Sequence, residues 1–92
     1  MTQETGMPAF RKEIDVLDRQ IVALMAQREK IVHAVGEYKA KNGIHPVDLE
    51  RKKVVTENFK KLAQEQGLDV DFAVALYELI YNQAIKIEET YR

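Results

Sequence analysis

The sequence predicts an all-α chain of three helices that functions as a homodimer with a long first helix. Three observations predict it. An apolar seam with heptad spacing runs through the first forty or so residues, strong stop residues occur at only two interior places, and no stretch alternates in the manner of a strand. Val54-Val55 is the only pair of adjacent β-branched valines. It is too short, and too charged in its flanks, to compete.

The first helix is expected over residues 8–41. Phe10, Ile14, Leu17, Ile21, Leu24, Ile31, Val35 and Tyr38 follow alternating steps of four and three, and the term missing between Leu24 and Ile31 is Arg28. Pro8 suits a first helical turn. Gly43 after Lys41-Asn42 reads as a stop, with Pro46 close behind. At about 1.5 Å per residue this helix is roughly 50 Å long. Two shorter helices of the same chain cannot cover it, so a second copy packed along it is expected. Gly36 interrupts the pattern, and an interior glycine costs about 1 kcal/mol against alanine, which points to a close helix approach.

A second helix is expected over 48–65, capped by Asp48, with Arg51, Val55, Asn58 and Leu62 on one face and Lys52 beside it. Gly67 ends it and Asp69 caps a third helix over 70–91. That helix carries Phe72, Leu76, Leu79, Ile80, Gln83, Ile87 and Tyr91 as a broad apolar stripe, with Ala84 and Glu88 along its edge.

Ninety-two residues suggest one domain, read as a flexible N-terminus over 1–7 and a helical domain over 8–92. A net charge of −1 gives no support for a nucleic-acid or membrane-surface partner. The lack of cysteine removes disulfides and thiolate ligands, and His33 and His45 are too few for a histidine-built metal site. No metal or cofactor is expected. The polar start, Met1 to Gly6, and the lack of a long uncharged apolar run argue against a leader or a membrane span, so a cytoplasmic location is expected.

Charge placement carries the functional reading. Arginine at a seam position is costly to bury without an anion. Taken alone, Arg28 reads as a register-fixing or snorkelling residue. Arg11 and Lys39 share a phase along one edge of the seam. Lys39 lies about 16 Å from Arg28 along the axis, within reach of one small ligand; Arg11, about 25 Å away, is within reach only from an antiparallel partner chain. Arg51 adds a fourth cation. Cations gathered around one cavity require an anion, and the planar guanidinium fork matches a carboxylate, so a small dicarboxylate fits. Glu88 is a salt-bridge partner, a protonated donor, or a solvated glutamate; composition alone favours the last.

These residues resemble the all-helical chorismate mutases, from about Phe10 to Glu88. Arg11 lies in F-R-K-E-I-D-V-L-D, Arg28 in Q-R-E, Lys39 in G-E-Y-K and Arg51 in D-L-E-R, followed by G-L-D from Gly67 to Asp69. The resemblance implies an intertwined dimer of three-helix chains, each site taking one arginine from the partner's first helix. It implies the Claisen rearrangement of chorismate to prephenate, with no cofactor. Arg11 of the partner subunit and Arg28 would hold the carboxylates. Lys39 would contact a carboxylate and the breaking ether oxygen, Arg51 would support the carboxylate end, and Asp48 the ring hydroxyl.

The chain departs from the family pattern at Lys52, where a glutamate that bonds the C4 hydroxyl is usual, and at Ala84, where serine is common. Glu88 stands where glutamine is frequent; a glutamate there works only when protonated, which implies better activity toward acid pH. The connection before Asp48 is one residue short. The missing glutamate also resembles isochorismate-pyruvate lyases, which form salicylate, as does G-L-D-x-x-F from Gly67 to Phe72. A mutase for the 4-amino analogue is a more distant alternative. A non-catalytic helical dimerisation or regulatory module is the reading outside enzymology.

Overall fold

The computed structural model describes residues 6–92. Residues 1–5 of the expected N-terminal tail lie outside the described residues. Among the described residues the chain forms three helices, α1 (Met7–Lys41), α2 (Leu49–Gln66) and α3 (Val70–Glu89), and no strand. None of these helices is long and apolar enough to cross a membrane. The chain divides into two compact units, the first ending at Ile31 within α1 and the second running from Val32 to Arg92.

From Met7 onward the first unit is the α1 helix. Its opening is set by Gly6, whose carbonyl accepts from the Phe10 amide at 3.2 Å. Its seam side chains are uncovered: Phe10, Ile14, Leu17, Ile21, Leu24 and Ile31 are each between 54% and 66% exposed. Met25, Arg28 and Glu29 are half-buried.

The second unit holds the core. The Ile44 amide returns to the Lys39 carbonyl at 2.8 Å and closes the end of α1. Asp48 caps α2 in extended backbone, its Oδ1 accepting from the Arg51 amide at 3.0 Å. Gly67 ends α2 at φ 70°, the left-handed conformation that glycine adopts without strain, while the Leu68 amide reaches back to the Ala63 carbonyl at 2.8 Å. Asp69 caps α3 through the Phe72 amide at 2.9 Å. α3 stops at Glu89, two residues short of the expected end, because the Thr90 hydroxyl bonds the Ile87 carbonyl and the Thr90 amide turns back on the last turn. Tyr91 is therefore outside the helix.

α2 and α3 pack around Ala63, Ala73, Tyr77, Ile80 and Ile87, with the Phe59 and Tyr77 rings 4.9 Å apart. The packed faces differ from those expected. In α2 the inward residues are Lys52, Val55, Thr56, Phe59 and Ala63, while Asn58 and Leu62 are exposed. In α3 the buried phase is Ala73, Tyr77, Ile80 and Ile87, while Phe72 and Leu79 are 57% and 70% exposed. Both helices have apolar residues in two neighbouring phases. Helical spacing marks the stripe without saying which phase faces its own chain.

Candidate active site

Within the second unit, the end of α1 approaches the end of α3. Gly36 makes the approach possible: a Cβ there would lie 3.0 Å from the Glu88 Cα and 2.8 Å from the Tyr91 ring. This is the close contact the glycine predicted. One turn further along α1, Lys39 meets Glu88. The Lys39 Nζ lies 2.8 Å from Glu88 Oε1 and donates to the Pro46 carbonyl at 2.9 Å. The carboxylate is buried, its side chain 8% exposed, and the ammonium side chain 19% exposed. The solvated reading of Glu88 is thus replaced by that of an inward carboxylate.

The contact is an ion pair without directed hydrogen bonding, since Glu88 Oε1 accepts no hydrogen bond among the described residues. A buried carboxylate oxygen in that state is costly. Removing water from two opposite charges is repaid only when their remaining donors and acceptors are satisfied. Here the ammonium has the Pro46 carbonyl as an acceptor, while Glu88 Oε1 has the ammonium's charge beside it but no directed donor. Lys39 also borders an open cleft of about 390 Å³ whose other walls include Gly43, His45, Tyr91 and Arg92.

Asp48 and Arg51 lie at the start of α2 in the same unit. Both are exposed, and Asp48 spends one carboxylate oxygen on the helix cap. Lys52 is half-buried and faces α3: its Nζ bonds Glu78 Oε1 at 3.0 Å and lies 4.7 Å from the centre of the Tyr81 ring. The Tyr81 hydroxyl is buried with no hydrogen-bond partner among the described residues. Ala84 is half-buried on α3 one turn before Glu88. In the first unit Arg28 is half-buried and Arg11 exposed. The structure therefore brings Lys39 and Glu88 into contact and places Lys52 on Glu78.

Glu78, Tyr81, His33 and Tyr91 were not singled out as site residues by sequence reasoning. Glu78 lies off the apolar stripe of α3, and Tyr91 reads as its last member. The one sequence signal that could have pointed to Glu78 is the cation at Lys52, beside the face of α2 expected to pack.

Residues 10–89 match the model of the chorismate mutase type II family. The chain belongs to that family. A chorismate mutase of Methanocaldococcus jannaschii is 32% identical over 86 residues, covering 88% of this chain and 87% of its own length. A bifunctional chorismate mutase/prephenate dehydratase of Buchnera aphidicola subsp. Schizaphis graminum is 32% identical over 92% of the chain, which spans only 22% of that longer protein. A 4-amino-4-deoxychorismate mutase of Streptomyces venezuelae is 26% identical over 97% of the chain and 86% of its own length.

Proposed function

We propose that this chain is a chorismate mutase that converts chorismate to prephenate at a site whose reacting end is formed by Lys39 and Glu88. The observation that carries this is the buried Lys39–Glu88 contact, with its unsatisfied carboxylate oxygen. A rearrangement that breaks one C–O bond and forms one C–C bond within a single molecule needs no nucleophile. It needs the substrate held folded and the negative charge on the departing ether oxygen met by donors. The Lys39 ammonium is one such donor, held by the Pro46 carbonyl. The Glu88 carboxyl faces the same ammonium and closes this end of the site.

Arg28 and Arg51, with Arg11 of the partner subunit, would hold the two carboxylates, and Asp48 the ring hydroxyl through the oxygen not used by the helix cap. None of these three guanidinium groups makes an ion pair among the described residues, which favours an anionic ligand. The homodimer rests on the uncovered seam of the first unit, an apolar row too continuous for a solvated helix. Its location in the cell is read as the cytoplasm.

The purified protein is expected to convert chorismate to prephenate without added metal. Failure to consume chorismate between pH 5 and 8, with salicylate formed from isochorismate, would move the assignment to the lyase, the reading that the pairing of Lys52 with Glu78 leaves open. The shared site has its own test. Arg11→Ala and Arg28→Ala proteins, each inactive, should regain partial activity when their chains are exchanged, because one site per heterodimer is intact. No recovery after verified exchange rules out sharing.

A further inference from the structure

A three-residue clip stands one turn away from the Lys39–Glu88 pair. Tyr91 follows α3, and its amide bonds the Glu88 carbonyl at 3.2 Å. Its ring lies over the bare backbone of Gly36, where an added Cβ would come within 2.8 Å of it. Its hydroxyl meets His33 Nδ1 at 2.7 Å, with the two rings edge to face at 79°. His33, Gly36 and Lys39 succeed one another at three-residue steps along α1, so they share one helical face. Glu88 and Tyr91 are likewise three residues apart, on the opposing end of α3 and the turn beyond it. The clip and the ion pair are thus two consecutive rungs between the same pair of segments.

We propose that Tyr91, anchored by His33 and seated on Gly36, is a positioning residue for the reaction, setting the distance between the Glu88 carboxyl and the Lys39 ammonium. The inference rests on the mutase reading of the site. In this role Tyr91 makes no bond to the substrate. It acts through the backbone of Glu88, whose Cα packs closely enough on Gly36 that an added Cβ would lie 3.0 Å from it. A misplacement of about 1 Å at a reacting group costs up to about a hundredfold in rate. Nothing in the core of α2 and α3 explains why a tyrosine outside the helix should be hydrogen-bonded to α1. A role in holding the pair does.

The test is a double-mutant cycle on the full chain with chorismate. Tyr91→Ala is expected to lower kcat by about ten- to a hundredfold while KM moves by less than about threefold. Tyr91→Phe, which keeps the ring in the notch and loses only the hydroxyl, should fall between it and the wild type. On a Glu88→Ala background the same Tyr91→Ala change should cost less than about twofold, because the group it positions is gone. Equal losses in both backgrounds, or a loss confined to KM, would overturn the positioning role. If Tyr91→Ala loses helical circular dichroism, Tyr91→Phe carries the cycle under the same criteria. Wild-type protein that does not rearrange chorismate overturns the mutase reading instead, a result distinct from additive losses in an active enzyme.

Discussion

Up to Ile31, α1 turns its apolar side chains outward, with Leu24 63% and Ile21 58% exposed. From Val32 onward the chain builds a core of Tyr77, Ile80 and Ile87 and closes its helix ends with caps and a left-handed glycine. The first unit has a strong sequence pattern and nothing of its own to satisfy it. The second has weaker patterns, and its internal contacts satisfy them. A helix without intra-chain packing is marginal in water at any ordinary length. On the proposed dimer, the two units draw their stability from different sources, one intermolecular and one internal, and substitutions should separate them.

The largest effect is expected at Leu17. Leu17→Glu places a carboxylate in each copy of the seam, where burying an unpaired charge costs far more than one leucine side chain contributes, about 1.5–3 kcal/mol. Sedimentation should show the dimer lost, together with turnover. A Leu17→Glu protein that remains dimeric would remove the basis of the contrast. Next comes Lys39→Ala, which should reduce kcat by about 10²–10³-fold, the usual cost of deleting one donor to a developing oxyanion, with the dimer retained.

Gly36→Ala should destabilise the second unit by about 1–2 kcal/mol in urea unfolding. Overpacking against the Glu88 backbone outweighs the gain in helix propensity of about 1 kcal/mol. Unchanged or raised stability would mean that the Tyr91 ring yields freely. The smallest effect is expected at Asp69, where Asp69→Ala removes the α3 cap for about 1 kcal/mol in stability and leaves kcat unchanged.

Much of the fold was legible in the sequence because punctuation is local chemistry. Asp48, Gly67 and Asp69 act within one turn of their own position, so their roles follow from residue type. Facing is not local. The side of α2 that packs carries Phe59 and Ala63, one position on from Asn58 and Leu62, and only the partner element decides between the two phases. The site divides in the same way. Gly36 and Lys39 announced themselves as a glycine inside a helix and a cation beside a seam. The inward turn of Glu88 onto Lys39 joins residues 49 positions apart, the linkage of His33 to Tyr91 residues 58 apart, and no spacing rule reaches that far.

The hydrogen-bond acceptor of the Lys39 ammonium among the described residues is a main-chain oxygen, that of Pro46. No exchange of side chain at position 46 deletes it. What would displace it is a change in the number of residues between α1 and α2. The aim of this lysine is therefore written in the length of a connection, and an insertion between Asn42 and Val47 should disturb it more than most replacements made there.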